Sequence, residues 1–569
     1  MLRRLLGLES EYAIRFTSLP GSESPDNNVV YGAVREAIGD LVLTRKGDWA
    51  REQFFVENGG AFAYEYLPTA PDGGLVEGAT PECRGPEEGL LYQCAQRALL
   101  IQALPAAEHI LAHQGYRGSL GLLENCRDAE GHVYGAQENF EADIGTGPTL
   151  WLWRAGVAAL IPIILVCAVV SWVSFVALAV SWLVLLFGVG LAAVVSPSLR
   201  RSGVPAAVAF TTPSRRIVRA LGRIEYVLYG HVLWAPVLWP FFALFRLVAF
   251  RRVRRDGLAF LMSRPVLSGA GTLDDEGVFG LSEKGPTIRR VVRLWVGQHD
   301  RAVFDAGNLC KAALRVAYLD LRSFLGLFRR RQRMQLGLAD ANPAQVAGYL
   351  KLATTALVID MAEAGALAGL PRLRRPVEAL RHIISDPSLQ AEVEVVGGSP
   401  MRALDIQRAY LERARAFVDQ AEVTSIEAVE LLALWQRTLD ALDALARGEH
   451  EVSESPLLGQ LDWITKRYLL DTAGRELSPA ARKKIDLKYH ELGGGYFARL
   501  DRAGLVSHIW SPDEIAQAMH DPPSPGSARA RSRMIRELGR RQAKVRVSWD
   551  RIRVGKPFAG KVIRLDEHR

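Results

Sequence analysis

Two carboxylates stand two positions apart near the start of the chain, in Gly7-Leu8-Glu9-Ser10-Glu11-Tyr12-Ala13-Ile14. In a β-strand residues i and i+2 share a face, so Glu9 and Glu11 would point the same way. Neighbouring carboxylates repel unless a cation sits between them. A hard divalent cation carrying nucleotide phosphates is one solution, because Mg²⁺ prefers carboxylate oxygen. A solvent-facing edge of an ordinary amphipathic strand is the simpler one, and this stretch leaves both open.

Residues 1–146 must supply the frame, and they read as alternating strands and helices with Gly/Pro-rich punctuation around 68–78. Residues 90–113 have helical periodicity that ends near Gly115. At 569 residues, two or three domains with ample core are expected. The net charge of +8, from 70 basic and 62 acidic residues, is a mild excess. Much of it is Arg beside apolar runs, which points to a membrane surface more than to nucleic acid. The five cysteines (Cys83, Cys94, Cys126, Cys167, Cys310) show no Cys-x-x-Cys spacing, and no His-Glu-x-x-His exists. A disulfide framework and a zinc site are therefore not expected, and a reducing cytoplasm fits. Glu9 and Glu11 interrupt any signal-peptide h-region at once.

Composition then changes abruptly, because no charged residue occurs over 155–195. At about 1.5 Å per residue the run is long enough for two crossings of a ~30 Å hydrocarbon core. A transmembrane hairpin over about 150–196 is expected, turning near Ser171 to Ser174. Arg200, Arg201, Arg215, Arg216, Arg219 and Arg223 follow and mark the exit side as cytoplasmic. A second apolar stretch, about 226–250, contains Pro236 and Pro240 and is closed by Arg246, Arg251, Arg252, Arg254 and Arg255. A re-entrant or interfacial segment would keep both basic clusters on one side. Beyond 256 ordinary helical periods return at 347–364, 401–423 and 427–447. Residues 495–569 read as a small separate domain. Its Arg-rich stretch, 529–546, lacks interleaved aromatics, so a solvated helix is preferred and no nucleic acid is expected.

Several separated motifs, taken in order, resemble the ligase and the deamidase/depupylase of the prokaryotic ubiquitin-like protein (Pup) system. The opening Gly7 to Tyr12 strand is one, and an Asn-Gly segment, 58–65, follows it. Val76-Glu77-Gly78-Ala79-Thr80-Pro81-Glu82-Cys83 and Tyr134-Gly135-Ala136-Gln137-Glu138-Asn139-Phe140 continue the order. After the apolar insert come Gly269-Ala270-Gly271, Leu281-Ser282-Glu283-Lys284, the stretch 333–360 and Ala403 to Tyr410. Leu461-Asp462-Trp463-Ile464-Thr465-Lys466-Arg467, Ile485-Asp486-Leu487-Lys488-Tyr489-His490, 513–523 and Ser548-Trp549-Asp550 complete the set. The resemblance spans nearly everything except about 147–256.

The resemblance implies an α+β fold: a glutamine-synthetase-like catalytic domain with a curved antiparallel sheet cradling ATP and Mg²⁺, and a small C-terminal domain. The catalytic domain would occupy 1–146 and 257–494, interrupted by a membrane insertion at 147–256, with 495–569 as the C-terminal domain. Glu9, Glu11, Glu77 and Glu82 would hold metal, Glu65 would be the catalytic carboxylate, and Arg333 would contact nucleotide phosphate. Gln137, Glu138, Gln335, Asp340 and Asn342 would line the pocket. The implied partners are a Pup-like modifier and protein lysines. The implied reaction is ATP-dependent carboxylate–amine ligation or the reverse amide cleavage; from the apolar insert and its Arg clusters, a multi-pass protein of the cytoplasmic membrane is expected, its catalytic domain facing the cytoplasm beside the lipid bilayer. This chain differs from the family pattern at Glu65 (aspartate in the family), Ala61 (Arg), Gln137 and Gln335 (His) and Thr272 (a basic residue). A membrane-bound scaffold with a decayed pocket is the alternative.

Overall fold

The computed structural model describes the chain except for residues 48–51, 67–72, 196–231, 294–300, 319, 424, 475, 525, 540–544, 556–559 and 566–569. Two compact units emerge. One comprises Met1–Ala142, Arg252–Val291 and Met334–Arg569, the other Asp143–Arg251 and Val292–Arg333.

The first unit is built on a 14-residue strand, β1 (Leu5–Ser18), whose alternating apolar positions give a buried-out-buried pattern over its first half. Its neighbours are β5 (Gly74–Ala79), β6 (Cys83–Arg84), β7 (Gly118–Leu123) and β8 (Gln137–Asp143), all antiparallel to it. Outward from β5 lie β4 (Ala61–Tyr66), β3 (Phe54–Val56) and β2 (Thr44–Lys46). Helices α1 (Asn27–Leu41) and α2 (Pro86–His113) cover one face, where Tyr31 packs against Tyr64 with the rings tilted by 50° and their centroids 5.5 Å apart. Gly78 makes this approach possible, since a Cβ there would lie 1.7 Å from the Gln96 amide of α2. The expected helices appear at Gln345–Ala364, Ala403–Asp419 and Ile426–Ala446.

The C-terminal segment forms a three-stranded sheet of its own. Its core is nevertheless shared with the main sheet: Ala530, Ile535, Val547 and Ile552 pack with Phe55 and Ala61. The expected separate small domain is thus part of the first unit. Short strands there cannot bury an apolar face alone, and β3–β4 supplies the missing layer.

The second unit opens with α3 (Pro148–Ala159) and α4 (Ile161–Val195). It recruits part of the span expected to belong to the catalytic domain. The buried Trp153 indole donates to the Leu327 carbonyl (2.7 Å), and the Arg154 guanidinium donates to that of Phe328 (3.0 Å). The expected turn near Ser171 to Ser174 does not form, since α4 runs unbroken through it. No Gly or Pro occurs between Ile163 and Phe187, and the Ser171 hydroxyl donates back to the Cys167 carbonyl at 2.7 Å, a bond compatible with helix. Of the second apolar stretch, Ala235–Leu247 forms a helix that buries Val237, Leu238, Phe241 and Phe245, with Phe241 edge-on to Trp153. The expected basic cluster at Arg200 to Arg223 lies outside the described residues.

Candidate active site

Strand register decides which of the expected residues meet. Glu11 lies directly opposite Glu77, and Glu9 opposite Ala79 on one side and Gln137 on the other. In the next pair Glu77 faces Ala63, and Glu65 faces Leu75. Because side chains alternate with period two, Glu9, Glu11, Glu77, Glu65 and Gln137 all occupy one face of the sheet. All five are half-buried, while Leu8, Tyr12, Val76 and Phe62 on the opposite face are buried. Directly opposed residues have Cβ atoms about 4.5–5.5 Å apart and diagonal ones about 7–8 Å, so the carboxylates line one shallow acidic surface.

The connection from β7 to β8 completes this surface. The strand β1 pairs with β8 over Leu6 to Glu9 and with β7 over Ala13 to Ser18, and the 124–136 connection passes beside Glu11 between them. The Gly135 amide donates to Glu11 Oε2 at 3.0 Å. Gly135 has φ +104°, and a Cβ there would meet Cys126 Sγ at 2.5 Å, so only glycine presents its amide here. Gln335, on the strand Arg331–Leu336, bonds its side-chain amide to that of Gln137. Arg333, two residues earlier on that strand, belongs to the second unit and is exposed.

Four expected site residues are committed elsewhere. Glu82 is ion-paired with Arg531, a fully buried guanidinium that also lies over the Trp549 ring at 4.7 Å. Glu138 points to the buried face and pairs with Arg264 at 2.8 Å. Asp340 accepts the backbone amides of Ala270 (3.0 Å), Glu283 (3.1 Å) and Lys284 (2.9 Å). Asn342 donates to the Ser268 carbonyl (3.0 Å) and to Asp462 (2.8 Å). These groups build the frame behind the sheet rather than the acidic surface, because burying a charge requires a partner at hand.

Sequence reasoning gave no role to the polar cluster inside that frame. The Lys466 ammonium lies 2.7 Å from Asp486 and 3.1 Å from Glu283, and His490 Nε2 lies 3.1 Å from Glu283. Burial alone would raise the Glu283 carboxyl, but the His490 and Lys466 charges outweigh it and hold it well below the usual range. Burial would raise Asp486 as well, but the Lys466 and Lys483 charges outweigh it and lower it. The only signal in the sequence was the set of charged residues inside otherwise apolar motifs.

Among the described residues, no three His, Cys, Asp or Glu side chains converge to enclose a metal ion. Mg²⁺ prefers hard oxygen, keeps several waters and binds through one or two carboxylates plus substrate phosphates. The donor set of Glu9, Glu11 and Glu77 is hard oxygen on a half-exposed surface and fits such an ion.

The family model described as Pup-ligase protein matches residues 4–553. A Pup–protein ligase of Acidimicrobium ferrooxidans is 24% identical over 590 residues, covering 100% of this chain and 98% of the relative. The ligases of Mycobacterium ulcerans and Mycobacterium tuberculosis are each 28% identical, over 298 and 306 residues; the match covers 50% and 51% of this chain, and 60% and 62% of theirs. The chain thus spans less than two thirds of the mycobacterial ligases it matches. Among solved structures, the complex of Pup with its ligase PafA has a TM-score of 0.63 at 18% identity, covering 99% of this chain and 89% of the other. The ADP complex of PafA has a TM-score of 0.60 at 18% identity, covering 97% and 93%. At that identity the likeness establishes the fold.

Proposed function

This chain belongs to the Pup-ligase family, whose members are ATP-dependent ligases, and from that premise we propose that it joins a carboxylate of a Pup-like modifier to a protein lysine. The observation that carries this reading is the register that gathers Glu9, Glu11, Glu77 and Glu65 on one open face. A carboxylate is a poor electrophile, so the γ-phosphoryl of ATP passes to it, giving an acyl phosphate and ADP. The lysine amine then attacks the acyl carbon, phosphate leaves, and the amine gives up a proton. Glu65, an oxygen base on the same face, is assigned that proton. Glu9, Glu11 and Glu77 would hold Mg²⁺, which when bound offsets the charge on the transferring phosphoryl group. The Gly135 amide orients Glu11.

Attachment to the cytoplasmic membrane through α4, with the catalytic unit on the cytoplasmic side, belongs to the same proposal. Its support is apolar composition with unusual exposure: within Pro148–Val184 an 18-residue window has a mean hydropathy of 2.8, and 17% of that window is buried.

A specific observation favours a second reading. At two positions where the family has histidine, Gln137 and Gln335 bond each other, and a neutral amide pair carries out no acid–base chemistry. A scaffold with a decayed pocket would show this. Calorimetric ATP binding to the detergent-solubilised full chain, with and without Mg²⁺, separates the two. Mg²⁺-dependent binding that disappears in Glu9→Ala is the expected result. Binding unchanged in Glu9→Ala would sink the metal assignment, and no binding at all would make the scaffold reading the better one.

A further inference from the structure

The connection that aims Gly135 at Glu11 is gripped from behind by two buried charges of opposite sign. Glu283 accepts the Cys126 amide at 2.5 Å, and the Lys284 ammonium donates to the Ala136 carbonyl at 2.5 Å. Cys126 and Tyr134 are bridged by a backbone bond of 3.0 Å, so the two grips hold the two limbs of one loop. Gly135 lies between them in sequence, with its amide on Glu11.

The gripping pair is itself fixed. Both of its backbone amides donate to Asp340, and the Glu283 carboxylate is anchored by Lys466 and His490, with Lys466 held in turn by Asp486. Glu283 is 1% exposed and Lys284 is fully buried. Apolar residues of similar size would serve stability as well or better, because burying ions costs more than most pairs return. Charges retained at such a place, bonded to the backbone of a loop, fix that loop's geometry.

We propose that Glu283 and Lys284 are positioning residues for the acidic face: they clamp the 124–136 connection so that the Gly135 amide holds the Glu11 carboxylate in its metal-binding orientation. This rests on the reading of Glu9, Glu11 and Glu77 as the Mg²⁺-holding set. Hydrogen bonds that orient a metal-holding carboxylate typically govern 10–100-fold in metal affinity.

The test titrates Mg²⁺ against ATP binding, a binding readout, in Glu283→Gln, Lys284→Met and the charge-preserving Lys284→Arg. Trp435→Leu, in the buried helical layer far along the chain from this loop, is the control for general destabilisation. The half-saturating Mg²⁺ concentration should rise about 10–100-fold in the first two variants and recover at least partly in Lys284→Arg. In Trp435→Leu it should stay within about twofold although Tm falls. Unshifted Mg²⁺ dependence in Glu283→Gln and Lys284→Met, with Tm lowered as in the control, would overturn the clamp. Should both variants fail to fold, amide exchange over 124–136 in the unmodified chain decides. Slowing by Mg²⁺–ATP supports the clamp, and unchanged exchange overturns it. If the unmodified chain shows no Mg²⁺-dependent ATP binding, the acidic-face reading fails first and the clamp with it. A normal wild-type response with unshifted variants defeats the clamp alone.

Discussion

Charged residues in this chain divide by what surrounds them, and sequence discloses that only where the surroundings are local. Glu9 and Glu11 share a face because strand period is a property of neighbours, so their pairing was legible. Glu82 looked equivalent, yet its fate is set by Arg531, far away in sequence, and no pattern around Glu82 announces it. The buried network makes a testable claim of its own. Glu283 and Asp486 ionise more easily in the folded chain than at their ordinary values of 4.5 and 3.8. A carboxyl lowered by folding contributes stability that is fully present above its unfolded value and is lost as pH falls toward the folded one. Asp462 works in the opposite direction, since burial raises it and protonation relieves that cost. With two lowered groups against one raised, Tm should drop as pH falls from about 5 to 3. In Lys466→Met the two carboxylates lose their shared cation, so about 3–5 kcal/mol should be lost at neutral pH and the acid limb should flatten. Denaturant melts across pH read both effects; an acid limb as steep as in the parent would refute the assignment.

Among the elements, the strands and the helices 347–364, 401–423 and 427–447 were readable because each carries its own period. The sharing of one core by β3–β4 and the C-terminal sheet was not, since it depends on shape matching between segments hundreds of residues apart. The hairpin expectation failed for a related reason. The length of an apolar run against bilayer thickness suggests two crossings, whereas continuity of a helix is decided by local breakers, and α4 has none between Ile163 and Phe187. Arg531 is the clearest joint between elements. From the helix Ser527–Gly539 it donates to the Gly59 carbonyl at 2.9 Å and the Trp549 carbonyl at 2.8 Å, pairs with Glu82, and lies over Phe55 and Trp549. Arg531→Met should cost about 3–5 kcal/mol by leaving Glu82 and two carbonyls without that partner. Glu82→Gln should also lower Tm while leaving half-saturating Mg²⁺ within about twofold, because Glu82 serves the joint and not the acidic face. A Mg²⁺ shift as large as that of Glu9→Ala would return Glu82 to the metal set.

For the molecule as a whole, the question is what solvent the second unit is built for. Along α4 the side chains of Val166, Val169, Val173, Phe175, Leu178, Leu183 and Val184 are all more than half exposed. A helix of 35 residues is about 52 Å long, well beyond a ~30 Å hydrocarbon core. Its first turns pack inward, with Ile164, Cys167 and Ala168 buried, and the exposed apolar residues follow them. Water opposes so many contiguous exposed apolar residues at about 25 cal/mol per Å², and a bilayer removes that cost. The full chain should therefore float with phosphatidylglycerol-containing vesicles and resist extraction at high pH. A lysine at a helix centre costs about 2.5–3.5 kcal/mol on insertion scales, so Val173→Lys together with Val176→Lys should release the chain from vesicles. The same double variant should bind Mg²⁺–ATP as the parent does, because the acidic face lies wholly in the first unit. Sedimentation of the parent chain away from vesicles, as a stable dispersed protein without detergent, would show that the exposed face is covered by protein instead. The membrane proposal would then fall while the ligase reading stood.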